Sequence, residues 1–405
     1  MTSTKQHADI AVETERLRLN VLVSGASFAG LATAFWMNRL GYRVTVVEVG
    51  KGLKTGGSPV DIKEGTVDIM KRMGLLERIQ ASSLKAKAVD FLDVEGVRIA
   101  RMPAQSGGAQ GTNPEYEIER DALLHMMFEE VKSDVEFIFD DSIARLEETA
   151  DQVAVTFKSG RQRSFSLLFG CDGNHSSVRR MCFGEESAYC VFLQNYFSIT
   201  IVDKLLIEEN NSQIYNVPGK TVMLSAYNGK TDIAFCFFSE EEIPYDYRDQ
   251  EKQRHMIREH FEGEGWRTRE LLEEVSRFRD FYFDKLCQIR MPSWTKGRVA
   301  LVGDAAYCAS PAAGMGGSLA IVGATALADA FQKHPDNFEA AFQEYNDSLR
   351  PFIEKVQADA IEFGLETFAP KSEEAIRARN ARFSNSRSQL VNPDKRASVP
   401  RYATS

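Results

Sequence analysis

The segment NVLVSGASFAGLATAFWMNRLGYRVTVVEV (residues 20–49) constrains this chain more than any other. Val21 to Val23 is a short apolar run stopped by Ser24 and Gly25, as expected of a strand buried on both faces. Leu31, Ala34, Phe35 and Leu40 then recur at helical spacing until Gly41, and Val44 begins a second β-branched run ending at Glu48. Strand, glycine turn, helix and strand within about thirty residues predict a βαβ unit with parallel strands.

The turn Gly25-Ala26-Ser27-Phe28-Ala29-Gly30 has the layout of a dinucleotide cradle. Gly25 permits the tight turn, and Gly30 lets helix and strand approach closely. Ser27 stands where G-x-G-x-x-G has its middle glycine, and its hydroxyl can donate to a phosphate resting on the helix N-terminus. Glu48, eighteen residues beyond Gly30, is placed to accept bonds from ribose hydroxyls. Two other readings compete for these residues. One is a ligand-free glycine turn; the other is a degenerate nucleophile elbow with Ser27 as a hydrolase nucleophile. The elbow leaves Glu48 unexplained, and His255, His260 and His334 lie in polar helical context rather than at strand ends.

A length of 405 residues predicts two or three domains. With 49 basic and 58 acidic side chains, the net charge of −9 argues against a nucleic-acid partner. Six scattered cysteines without a CxxC pair read as reduced thiols rather than a disulfide or zinc framework. HMIREH (255–260) spaces its histidines five apart, so they fall on different helix faces; no metal site is expected and both are read as solvated. The first eighteen residues hold no signal-peptide core and no run is long enough to span a membrane, which predicts a cytoplasmic protein.

The pattern along the chain is interleaved. Dinucleotide-fold elements are expected over 19–85, 116–180 and 285–330. A second, β-rich domain is expected over 86–115 and 181–284, interrupted by the soft loop 104–114. Residues 331–370 are expected to form a C-terminal helix. Residues 371–405, with eight basic against three acidic side chains, are expected to be a surface helix fading into a disordered tail. The fold class is therefore α/β: a Rossmann-like domain with an inserted β-sheet-rich domain and a helical C-terminal segment.

Two later motifs narrow the reading. Asp172-Gly173-Asn174-His175-Ser176-Ser177-Val178-Arg179 reads as DGxxSxxR. Leu301-Val302-Gly303-Asp304 is a buried strand ending in Gly-Asp, followed by Pro311 and the loop Gly314-Met315-Gly316-Gly317. An aspartate at a strand end can bond ribityl hydroxyls, and backbone N–H groups opening a helix can stabilise the negative charge of a reduced flavin.

In these three motifs, in their order and over residues 19–365, the sequence resembles the FAD-dependent aromatic hydroxylases of the para-hydroxybenzoate hydroxylase type. The runs KTGGSPVDI (54–62), MPSWTKGRVALVGDAAYCASP (291–311) and SLAIVGA (318–324) are most similar to the tetracycline-inactivating monooxygenases. The resemblance implies that Gly25, Ser27 and Gly30 hold the FAD pyrophosphate and Glu48 the adenosine ribose. It implies that Asp61 and Arg120 touch FAD, that Asp304 bonds the ribityl or pyrophosphate region, and that Pro311, Gly314, Gly316 and Gly317 face the isoalloxazine. Asp172 would serve FAD and the nicotinamide cofactor, and Lys54 would assist a nicotinamide phosphate. The implied reaction is hydroxylation of a phenolic, enolic or polycyclic aromatic small molecule. NADPH or NADH reduces FAD, and O2 then gives a C4a-hydroperoxyflavin that transfers oxygen. A monomer or homodimer is implied, and no catalytic base is named.

Three positions depart from the family pattern: Tyr307 for histidine, Met315 for glutamine and Ser318 for asparagine, all expected to flank the flavin loop. Tyr215, Tyr227, Phe235 and Phe237 of the β-rich region, with Pro311 and Ala312, are the candidates for the substrate wall, against the reading that the aromatics are sheet core. The alternatives carried forward are a same-fold epoxidase, reductase or oxidase, and a non-enzymatic dinucleotide-fold binding protein.

Overall fold

A computed structural model of the chain describes residues 19–63, 65–85, 88–103, 115–246, 248–278 and 281–384. The loop 104–114 and the tail beyond 384 lie outside the described residues. The first sheet has six strands in the order Thr295–Lys296, Val299–Leu301, Leu167–Gly170, Asn20–Ser24, Arg43–Val47 and Glu136–Ile138. All pair in parallel except Thr295–Lys296. Val21, Leu22 and Val23 are completely buried, which is why this strand reads as a continuous apolar run.

The helix Phe28–Arg39 packs against the long helix Gly316–Lys333, where the Trp36 indole N–H donates to the Thr325 hydroxyl at 3.0 Å. The C-terminal helix expected over 331–370 is interrupted: Gly316–Lys333 ends first and a second helix follows. Pro335 lacks an N–H for the helical ladder, and Asn337 starts the helix Phe338–Asp359 by accepting from the Ala340 N–H.

The second sheet has seven strands, ordered Phe281–Ile289, Cys190–Val202, Lys230–Phe238, Lys220–Tyr227, Asn211–Val217, Ala88–Leu92 and Arg98–Met102. Two helices, Gln250–Phe261 and Thr268–Arg277, cover one of its faces. The other face meets the segment that leaves Asp359 as a π-helical stretch, Ala360–Leu365, and runs on through Glu366–Phe368.

The helix Glu373–Ser384 is docked, not a free surface element. Phe383 stacks on Phe91 with centroids 5.4 Å apart, and the Arg379 guanidinium lies 4.1 Å from the same ring. Trp266 sits in the turn between the two covering helices, with φ of 55°. His260 is not solvated either: its ring stacks on Phe237 at 3.7 Å.

Candidate active site

The glycine turn is a wedge with no slack. A Cβ on Gly30 would sit 1.9 Å from the Gly25 carbonyl oxygen, and one on Gly25, whose φ is +105°, would sit 2.5 Å from that of Cys171. The helix that follows begins at Ser27, whose side chain makes no capping bond, and has no acidic residue in its first turn. The helix Gly316–Lys333 likewise begins without a side-chain cap or an early acid. Gly303 seats these two helices side by side, since a Cβ there would meet Ala29 at 2.9 Å and Ala320 at 3.5 Å. Their positive ends therefore open together, an arrangement suited to an anion.

Around these ends stand the other polar groups. Glu48 accepts the Ala26 N–H at 2.8 Å and the Gly50 N–H at 2.9 Å, which orients its carboxylate at the turn and leaves lone pairs for hydroxyl donors. Arg120 donates to the Ser27 hydroxyl at 3.1 Å and to the carbonyls of Lys54 and Gly56. It also fills the space a Cβ on Gly57 would need. Asp304 is half-buried; burial pushes its carboxyl up to about 6, against a weak opposing bond from the Cys308 thiol. A carboxylate so short of protein donors fits a ligand that brings hydroxyls. The preceding Ser310 holds φ of 80° and ψ of 149°, backbone normally left to glycine, at the entrance to an open loop where Cβ atoms on Gly314 and Gly316 would meet nothing.

These features were compared with known proteins. The family model described as "FAD binding domain" matches residues 18–359. An uncharacterised Mycobacterium tuberculosis protein is 37% identical over 340 residues, covering 83% of this chain and 91% of the relative. A flavin-dependent monooxygenase from an unidentified prokaryote is 33% identical over 361 residues, covering 88% and 91%. The chain belongs to the FAD-binding flavin-dependent monooxygenase family. The crystal structure of the tetracycline destructase Tet(55) superposes on it with a TM-score of 0.79 at 32% identity, covering 90% of this chain and 94% of that one.

As an FAD monooxygenase, the chain brings together Gly25, Ser27, Gly30, Glu48, Arg120, Asp304 and the Gly314–Gly317 loop. Other expected residues have different local roles. Both oxygens of Asp172 are taken up by Ser176, Ser177 and the Val178 N–H, so Asp172 caps the helix Ser177–Phe183. The Asp61 carboxylate lies 3.6 Å from Lys63, while its carbonyl accepts from the Ser318 hydroxyl. Lys54 is exposed. Tyr307 does not flank the flavin loop: it is buried, bonds the Tyr345 hydroxyl at 3.1 Å, and fills space that only glycine at 323 leaves free.

The substrate-wall expectation needs the larger correction. Phe235, Phe237 and Tyr215 point away from the FAD side, packing with Ile257, Phe261, Leu271 and Trp266 beneath the covering helices. The opposite face carries Phe197, Ile199, Ala234, Cys236 and Leu286, against which Leu365, Phe368 and Ala369 pack. Tyr227 is on that opposite face, yet it is buried and donates to Asp232 at 2.7 Å. Next to it, Lys230 pairs with Glu119, the residue before Arg120, and ties the sheet to the cradle.

Phe235→Leu is expected to cost stability only, about 1 kcal/mol in a urea melt, with turnover parameters unchanged. Ala234→Phe is expected to raise KM severalfold. The reverse pattern would put the substrate on the helix side.

Three groups were missed from sequence. Arg179 is fully buried and donates to the carbonyls of Ala305 and Asn174 and to Glu186, joining the DGxxSxxR and Gly-Asp motifs. His175 bridges Asp284 at 3.0 Å and Glu186 at 3.1 Å; these two carboxylates push it up to about 10, so it is an imidazolium near neutral pH. Tyr282 shares a face with Asp284, to which its hydroxyl donates at 3.4 Å; desolvation of that hydroxyl and the Asp284 charge, with Cys308 and Asp304 beyond, hold it well above the usual tyrosine value. The closing arginine of DGxxSxxR was a signal for Arg179. Nothing in sequence links His175 to Asp284.

Proposed function

We propose that the chain uses NADPH or NADH and O2 to hydroxylate a phenolic, enolic or polycyclic aromatic molecule, with tetracyclines among the candidate substrates. The observation carrying this reading is the apolar face of Phe197, Ile199, Ala234 and Leu286, joined to the flavin loop by the π-helical segment. A Cβ on Gly364 of that segment would sit 2.2 Å from the Ala312 carbonyl oxygen, so the segment seated on that face is in direct contact with Pro311–Ala313. The likeness to a tetracycline destructase supports the substrate class.

FAD, once bound and reduced, would supply an oxygen atom derived from O2. The chain supplies the rest. Gly25, Ser27 and Gly30 leave room for the pyrophosphate at the helix end, Glu48 accepts from ribose, and Asp304 accepts from the ribityl chain. The N–H groups opening the helix at Gly316 favour negative charge on the ring, and the apolar wall excludes water beside it. Lys54 and Asp172 are the proposed contacts for the nicotinamide cofactor, and a monomer or homodimer is the proposed working form.

The test follows NADH and NADPH consumption across phenols, quinones and tetracyclines under isotopically labelled O2. The expected product carries one labelled oxygen. Substrate-stimulated consumption with no oxygen in the product would replace hydroxylation with a reductase or oxidase.

Asp304 also gives a pH dependence. Burial favours its neutral form in the free protein, whereas ribityl donors favour the anion. FAD affinity is therefore full above about pH 6 and falls as pH drops through that value. Flavin fluorescence titrations at several pH values check this, and Asp304→Asn is expected to flatten the profile. An unchanged profile in the variant would remove Asp304 from the cofactor site.

A further inference from the structure

Cys190 opens the strand Cys190–Val202, and Cys287 lies on the neighbouring strand Phe281–Ile289. In their antiparallel register Cys190 faces Ile289 and Phe192 faces Cys287, so the cysteines are diagonal neighbours on one face, close enough for each thiol to shift the acidity of the other. Cys190 is half-buried and Cys287 is buried. Of the six cysteines, Cys190 alone is held below the usual thiol value: the neighbouring Cys287 thiol and the Lys285 charge outweigh burial and the opposing charges of Glu186 and Glu242, while the same pairing raises Cys287. Burial instead pushes Cys171 up to about 12 and Cys182 to about 11, and raises Cys236 and Cys308 as well. A thiol that ionises readily with a second thiol beside it is the arrangement that converts an oxidised cysteine into a disulfide.

We propose that Cys190 and Cys287 are a peroxide oxidation site that closes to an intramolecular disulfide. The Cys190 sulfur attacks one oxygen of hydrogen peroxide, the O–O bond breaks, and sulfenic acid and water form. The Cys287 sulfur then attacks the sulfenic sulfur, its S–H proton leaves with the hydroxyl as a second water, and the S–S bond forms. In sum, two thiols lose two electrons and two protons, and one peroxide is reduced to two waters. Peroxide is also what results when O2 takes two electrons from reduced flavin without oxygenating a substrate; only this source of oxidant rests on the proposed function.

The site is connected to the cofactor side. The Asn174 amide lies 3.3 Å from the Cys287 sulfur, and the Asn174 carbonyl accepts from buried Arg179 at 2.6 Å. Cys308, the other thiol nearby, is directed at the Cys287 carbonyl at 3.9 Å.

The experiment takes the FAD-loaded full chain, reduces it, removes the reductant and adds hydrogen peroxide. Free thiols are then alkylated and the peptides mapped by mass spectrometry. The expected result is a Cys190–Cys287 linked peptide that dithiothreitol abolishes. Cys190→Ser is expected to slow peroxide-driven thiol loss about tenfold. Cys287→Ser is expected to let sulfenic acid accumulate at Cys190, where dimedone captures it. Intact thiols after peroxide, oxidation of Cys190 without linkage in the native chain, or a Cys287–Cys308 bond would each overturn the proposal. No turnover is measured, so such a failure leaves the monooxygenase reading untouched.

Discussion

Gly30→Ala is expected to give a folded protein that purifies without flavin, with FAD affinity lowered on the order of 100-fold, about 2.8 kcal/mol. The added Cβ would lie 1.9 Å from the Gly25 carbonyl oxygen and 2.9 Å from its carbon, both backbone atoms. Gly25 has little room to yield, because a Cβ there would already lie 2.5 Å from the Cys171 carbonyl oxygen and its φ is positive. The turn must therefore move away from the helix end, and the N–H groups meant for the pyrophosphate move with it. Overpacking of this kind also costs about 1–3 kcal/mol of stability. Gly52→Ala is the control: nothing lies within 4 Å of its Cβ position, so the change is expected to be within about 0.5 kcal/mol. Flavin absorbance and fluorescence titration read both variants. Native FAD affinity in Gly30→Ala would mean that the pyrophosphate does not sit at this turn.

The second large effect is expected from Arg179→Met, which should destabilise the protein by about 3–5 kcal/mol in chemical denaturation. The guanidinium is buried, and removing it strips partners from the Asn174 and Ala305 carbonyls and from Glu186. Burial would raise the Glu186 carboxyl, but His175 and Arg179 together hold it below the usual range. Losing Arg179 leaves that charge with His175 and the weaker influence of Lys285. The variant is also expected to bind FAD more weakly, because Ala305 follows Asp304 directly. Glu186→Gln keeps the hydrogen-bonding shape and is expected to cost much less. If Arg179→Met melted like the native protein, the link between the two motifs would carry no stability.

Much of the cofactor side was legible in sequence because it depends on local backbone geometry. A strand, a turn that admits only glycine at two points, a helix N-terminus and an acid at the next strand end are all encoded within thirty consecutive residues. Gly25, Gly30 and Glu48 could be placed from that pattern. The Gly-Asp strand end and the Gly314–Gly317 loop are local in the same sense. Asp172 shows where local reading stops: Ser176, Ser177 and the Val178 N–H bond its carboxylate, partners that the DG pair alone does not announce.

The substrate side was not legible, and DIAFCFFS shows why. Alternation correctly separates Phe235 and Phe237 from Ala234 and Cys236, but both faces of this strand are apolar, so hydrophobicity cannot say which one meets the cofactor. The large rings fill the gap between sheet and helices, where close packing demands volume. The small residues lie on the other face, toward Leu365 and Phe368. Likewise His175 and Asp284, or Cys190 and Cys287, are about a hundred residues apart in the chain and meet only through the strand Phe281–Ile289.

The sequence by itself determined the βαβ cradle, its glycines and the acid at the end of its second strand, since sterics within a few bonds decide them. The tertiary structure alone decided which sheet face borders the flavin loop, that Arg179 joins two motifs, and which cysteines are neighbours. Those depend on contacts between distant segments, whose pairing no local pattern encodes.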